Sequence, residues 1–228
     1  MTVLDKWDLR LNVDAVLRGQ GADPAAIRRR SPRLIEFSGR ALEEGGPLLQ
    51  PRVHACRLLV EDLRHDRLKL EGDGRLSGGL LARHMGGAQE VVIVLCTVGE
   101  ALERRAAEVS REDAVYGLAL DGLGSAGVEA LANAACALFE EEATKEDCQV
   151  TIPLSPGMVG WPVEQGQPQI FDLLDAGEID VRLTESMMML PRKSLTFVLG
   201  MGRELISGGR TCDYCSLKET CRYRDKYD

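Results

Sequence analysis

Aromatic residues make up only 4% of this 228-residue chain. Single-stranded nucleic acid is held on exposed aromatic faces, so a stacking platform of that kind is excluded. Positive charge is also short, with 28 Lys and Arg against 36 Asp and Glu and a net charge of −8. Duplex binding draws its affinity from cations on phosphates, so nucleic acid is not an expected partner. The basic run Arg28-Arg29-Arg30 is brief and reads as a solvated helix face. Histidine occurs only at His54, His65 and His84, with no i, i+4 pair. That argues against a histidine metal site and against a Ser/His/Asp or Cys/His triad. Long apolar runs are missing too. None exceeds the six residues of Val91 to Cys96, far too short to span a bilayer, and the first ten residues lack a signal-peptide core. No membrane is expected, and the cytoplasm is the expected location.

What is present suits one sizeable core, or one core with a small appendage: 44% of residues are apolar and 28% charged. Asp23-Pro24 and Ser31-Pro32 each read as an N-cap followed by proline in the first helical turn. Val53 to Glu61 and Arg67 to Glu71 read as strands, and Glu90 to Thr97 as a central strand buried on both faces. Ser77 is placed as the cap of a short helix ending at Gly86-Gly87, with His84 as a favourable charge or cap at its C-terminus. Asp113 to Glu142 reads as one long helix. Its Gly117, Gly122, Gly124 and Gly127 each cost ~1 kcal/mol against alanine, a cost expected where a helix packs tightly on a sheet. Asp121 in that stretch is either an exposed turn residue or a buried one with a structural partner. Cys96 and Cys136 read as core residues, and the Met187-Met188-Met189 run as core packing ahead of an interface.

Gln149 to Ile152 reads as a short strand. Pro153 to Pro168 is rich in proline and glycine and reads as irregular, with a helix over Pro168 to Ala176. Val181 to Thr184 and Leu195 to Met201 read as further strands. Strands and helices are intermixed, so the fold class is α+β or α/β, with a curved mixed or antiparallel sheet and flanking helices. Residues 1–205 form the main domain, and 206–228 a cysteine-rich tail.

Several ordered motifs resemble the activation (reactivation) domain family of vitamin B12-dependent methionine synthase, in its stand-alone form. The loop Ser155-Pro156-Gly157-Met158-Val159-Gly160-Trp161-Pro162 is followed by Ile170-Phe171-Asp172-Leu173-Leu174 and then Leu183-Thr184-Glu185-Ser186. Met189, Pro191 and Ser194 complete the series. Cys96-Thr97-Val98-Gly99-Glu100 and Asp121-Gly122-Leu123-Gly124-Ser125 resemble stand-alone members, so the likeness spans roughly residues 10 to 205. It implies docking on a corrinoid (cobalamin) methyltransferase, with the cobalamin supplied by that partner. It further implies support for reductive reactivation of cob(II) to cob(I) in methionine synthesis, with an electron-donor protein as a second partner. Ser155, Gly157, Met158 and Trp161 take the position of the corrinoid-facing loop, with Trp161 as an apolar anchor, and Thr184, Glu185 and Ser186 carry the family motif. Two departures bear on S-adenosylmethionine. The family's carboxylate-binding arginine is Pro153 here, and its tyrosine after the loop glycine is Met158. A proline offers neither charge nor donor, so that ligand is expected to bind weakly or not at all.

The tail carries Cys212-Asp213-Tyr214-Cys215, a Cys-x2-Cys pair, with Cys221 after five intervening residues. Such spacing turns two sulfurs toward one centre. Cys148, just before the proline-glycine loop, is the candidate fourth ligand. Nearby Arg203, Arg210, Lys218, Arg222 and Arg224 favour thiolates and a negative cluster. An iron–sulfur cluster is the first expectation and zinc the alternative. With zinc, the protein would be a non-catalytic corrinoid-protein binding module with a structural tail.

Overall fold

The computed structural model describes residues 1–205, 209–215 and 218–219. Seven strands form a sheet ordered β4-β3-β2-β5-β9-β6, with β1 also pairing β2. They are β1 (Thr2–Leu4), β2 (Arg52–Arg64), β3 (Arg67–Leu70), β4 (Arg75–Ser77), β5 (Glu90–Thr97), β6 (Gln149–Val150) and β9 (Ser194–Gly202). Every pairing described is antiparallel, which settles the mixed-or-antiparallel alternative. Strands β7 (Arg182–Leu183) and β8 (Met189–Leu190) make a separate hairpin.

Curvature has a local cause. The first part of β2 pairs with β5 and its end pairs with β3, and the register shifts between Val60 and Asp62. A bulge there bends the strand and increases its twist. The long strand thus hands the sheet from one packing partner to the next.

Strand β5 shows why its sequence is an unbroken apolar run. Val91, Ile93 and Leu95 face one core with Leu80, Trp161, Ile170 and Val198. Val92, Val94 and Cys96 face the other, with Leu131, Ala135 and Phe139. Successive side chains point to opposite faces, so a strand covered on both sides needs apolar residues throughout. Burying each large one contributes about 1.5–3 kcal/mol.

Helix α6 (Ala114–Lys145) covers the second face and also packs on α1 (Val13–Gly19), α3 (Pro32–Gly45) and α5 (Ala101–Val109). Asp113 caps it, accepting hydrogen bonds from the Val115 and Tyr116 N–H groups. Among the described residues it is the one helix long and apolar enough to cross a membrane, and half of its apolar window is buried inside the protein. Gly122 serves helix–helix approach and not the helix–sheet packing expected, whereas Gly127 packs against Leu49 and Val98. A Cβ on Gly19 would stand 2.1 Å from the Gly122 carbonyl oxygen, and one on Gly122 2.8 Å from that of Val16. Only backbone fits between α1 and α6 there.

The remaining helices are α2 (Pro24–Arg30), α4 (Gly79–His84) and α7 (Val163–Leu173). Helix α7 corrects the sequence expectation, since it begins five residues before Pro168 and encloses it. Tertiary contacts explain this. A Cβ on Gly166 would meet Trp161 and Pro156 at 2.8 Å, and buried Gln167 accepts a 3.0 Å hydrogen bond from Thr196 Oγ1. These hold the first turn in place despite the proline.

Candidate functional site

The proline-glycine loop is pinned at both ends and in the middle. Leu154 and Val198 exchange backbone hydrogen bonds of 3.0 and 2.9 Å, which fixes its start on β9. The Gly157 N–H donates to the Trp161 carbonyl at 2.7 Å, and the Leu80 N–H to that of Gly160 at 3.2 Å. Gly157 and Gly160 have φ of 99° and 93°, a region where a side chain is strained. The result is a rigid projection whose outer surface is Gly157, Val159 and Gly160, with Val159 61% exposed.

Two of the residues placed on that surface by sequence lie elsewhere. Trp161 is 0% exposed and sits in the core with Leu80, Ile93 and Val198. Its indole fills the space beside Gly78 and Gly166, where an added Cβ would stand 2.7 and 2.8 Å from the ring. It is therefore a post beneath the loop and not an exposed anchor. Met158 is half-buried, packs on the same core and takes a 3.1 Å hydrogen bond from the Ser155 N–H at its Sδ. Ser155 is partly exposed. The loop thus offers backbone and Val159 to a partner.

The cysteine segment reaches the same loop. Thr211–Tyr214 forms a 3-10 turn, and the Val159 N–H donates to the Tyr214 carbonyl at 2.9 Å. Asp213 steadies the turn. Its carboxylate accepts from the Arg210 N–H and faces Lys218, which together hold its pKa below the usual range. The Tyr214 ring stands edge-on to His84 at 4.6 Å. His84 is buried, and neither ring nitrogen has a partner among the described residues. Burial, with Arg83 adding to it, lowers its pKa, so it is a neutral core ring and not the charged helix end expected from sequence.

Cys212 and Cys215 flank Tyr214 and are half-buried. Cys148 lies just beyond α6, its N–H bonded to the Ala143 carbonyl. No three of His, Cys, Asp and Glu come together among the described residues, so Cys148 is not gathered with Cys212 and Cys215. Cys221 lies outside the described residues. Next to Pro153 is a cleft of about 330 Å3, lined also by Cys136, Glu140 and Thr151. Among its described lining residues the one charge is the Glu140 carboxylate, which repels another carboxylate.

The Thr184-Glu185-Ser186 stretch forms the tip of the β7–β8 hairpin. Thr184 Oγ1 accepts from the Met188 N–H and lies 3.0 Å from Ser186 Oγ, while Glu185 is exposed. The methionine run divides, with Met189 packed on the core and Met188 51% exposed.

The other motifs meet at one point that sequence reasoning did not single out. Ser194 Oγ donates to the Pro191 carbonyl at 2.7 Å and lies 3.0 Å from Thr97 Oγ1. Lys193 Nζ reaches Asp121 at 2.9 Å and Ser125 at 2.9 Å. The Cys96–Glu100, Asp121–Ser125 and Met189–Ser194 stretches are thus tied together by one polar network. Asp121 has the structural partner of one reading, but its side chain is 42% exposed and sits mid-helix, so it is neither the buried residue nor the turn residue expected.

No family model and no curated protein sequence matches the chain. Among solved structures it is similar to the crystal structure of the MetH reactivation domain bound to AdoHcy. The TM-score is 0.67 over 88% of this chain and 78% of that one, at 15% identity. The fold is that of the MetH reactivation domain. This accounts for the α+β class and the curled antiparallel sheet, and it places the proline-glycine loop on a reactivation-domain scaffold. At such identity the likeness carries the fold alone.

Proposed function

We propose that this protein docks on a corrinoid methyltransferase and supports its return from cob(II) to cob(I), in methionine synthesis. The observation that carries the reading is the joint placement of two segments on a reactivation-domain fold. The rigid loop exposes Gly157, Val159 and Gly160, and the Cys-x2-Cys turn is hydrogen-bonded to it through Tyr214. Docking by the loop would bring Cys212 and Cys215 toward the partner's cobalt. An iron–sulfur cluster held by Cys212, Cys215 and Cys221 would pass single electrons from an external electron-donor protein. One electron per cobalt balances the step. The chain's own residues hold the turn through Asp213, exclude water with the Trp161 core beneath the loop, and supply Val159 as apolar contact. S-adenosylmethionine is not assigned to this chain: the resemblance puts Pro153 at the position of the carboxylate-binding arginine, and the adjacent cleft carries the Glu140 carboxylate.

The test is complex formation with a methionine synthase core loaded with cob(II)alamin, followed by size exclusion and by the cobalt spectrum. The wild type should co-elute and Val159→Asp should not. No complex with that core, or with any co-expressed corrinoid protein, would end the reading. A complex whose tail holds zinc and no sulfide would transfer it to a non-catalytic binding module.

A further inference from the structure

A cleft of about 590 Å3 has none of its lining residues in the loop or the cysteine turn. Four arginines line it, Arg52, Arg104, Arg182 and Arg192, in a chain whose net charge is −8. Two of them are committed. Arg52 Nη1 lies 2.7 Å from Asp180, and Arg192 holds Glu103 through Nε at 2.5 Å and its backbone N–H at 2.9 Å. These pairs fix the walls and neutralise two of the three carboxylates that line the cleft, Glu100 being the third.

The other two cations have donors to spare. Arg104 comes no nearer than 3.8 Å to Glu100, and both side chains are largely exposed. Arg182 makes no ion pair among the described residues. Helix α5 begins at the same wall, and its N-cap residue Glu100 gives no side-chain cap. Its first N–H groups are therefore unspent and carry the positive end of the helix dipole. Unspent guanidinium forks beside an uncapped helix start form an arrangement that takes oxyanions.

We propose that this cleft binds a phosphate-class oxyanion, either inorganic phosphate or the phosphate of a small phosphoester. The donors approach from β7 and α5, with Arg52 and Arg192 closing the sides. Tetrahedral phosphate oxygens can meet donors from several directions, whereas a carboxylate takes its donors near one plane. The assignment is independent of corrinoid docking, and it can fail or stand without affecting that reading.

The experiment is 31P line broadening on the full chain at constant ionic strength, with inorganic phosphate and with AMP as the phosphoester. Saturable binding is expected in wild type, with about tenfold weaker affinity in each of Arg182→Gln and Arg104→Gln. Both side chains are exposed, so the fold should survive, and circular dichroism checks this. Arg33→Gln, on α3 away from the cleft, should bind as wild type. Tighter binding of AMP assigns the site to phosphoesters, and equal binding assigns it to free phosphate. The proposal is overturned if neither probe saturates, or if Arg182→Gln and Arg104→Gln both bind as wild type. Equal weakening in Arg33→Gln, or displacement by acetate at matched concentration, overturns it as well.

Discussion

Replacing Trp161 by alanine separates two roles for the residue. As an exposed anchor, its loss would weaken partner binding and leave the isolated protein stable. As the post observed beneath the loop, its loss empties a site with no solvent access. A fully buried Trp→Ala change costs about 3–5 kcal/mol in transfer and cavity terms. Relaxation has little room here, because the ring is bracketed by Gly78 and Gly166 and faces Leu80, Ile93 and Val198. That cost is a large share of the ~5–15 kcal/mol that stabilises a typical domain. With an m-value of roughly 2–3 kcal/mol/M in urea, the unfolding midpoint should fall by about 1–2 M. Circular dichroism gives the midpoint without relying on the lost fluorophore. Val159→Ala, at an exposed site in the same loop, should stay within about 0.5 kcal/mol of wild type. In a Trp7→Phe background, Trp161 should emit at the short wavelength of a buried indole. A midpoint for Trp161→Ala within about 0.3 M of wild type would refute the placement of the ring.

Three further outcomes follow from other parts of the molecule. Calorimetry with S-adenosylmethionine should show no binding tighter than about 100 μM, since a lost charge-assisted bond is worth ~10–100-fold; micromolar affinity would mean another residue holds the carboxylate. His84 has its pKa lowered by burial, so the unfolded chain takes up the proton first; stability is then full above the ordinary value of 6.5 and declines as pH falls through it. His84→Phe should flatten the urea midpoint between about pH 7.5 and 5.5, and an unchanged slope would assign the loss to other groups. Anaerobic metal and sulfide analysis should show a cluster in wild type and its loss in Cys212→Ala, Cys215→Ala and Cys221→Ala; unchanged metal in all three would remove the site.

The strand β5 was legible because burial on both faces leaves a continuous apolar run, and α6 because Asp113 caps a long apolar stretch. The caps at Asp23 and Asn12 are local chemistry too, although only the first was read. Helix α7 was misplaced because Gly166 and Pro168 both argue against a helix locally, while the contacts that hold it come from Trp161 and Thr196. The bend of β2 at Val60 leaves no mark in composition. Trp161 was read as a surface anchor because a tryptophan between glycine and proline looks the same whether the loop turns it inward or outward. Gly78, distant in sequence, and Gly166, on the helix that follows, leave the space that decides the direction.

The candidate site divides along the same line. The loop glycines were legible from backbone requirements, since Gly157 and Gly160 adopt positive φ. Nothing in the spacing of Thr97, Asp121 and Lys193 announces that they share a network, because each contact crosses from one element to another. That network lies between α6 and the connection from β8 to β9, and the partly exposed Asp121–Lys193 pair is worth little as a Coulomb interaction alone. Its effect is geometric. The Ser194 hydroxyl holds the Pro191 carbonyl and Lys193 holds α6, so the start of β9 is fixed before the strand reaches Val198 and the loop at Leu154. A motif far from the loop in sequence can thereby set where the loop stands. Removing Lys193 should disturb the loop's partner affinity more than the small stability loss would suggest, an order of effects that a purely local salt bridge would not produce.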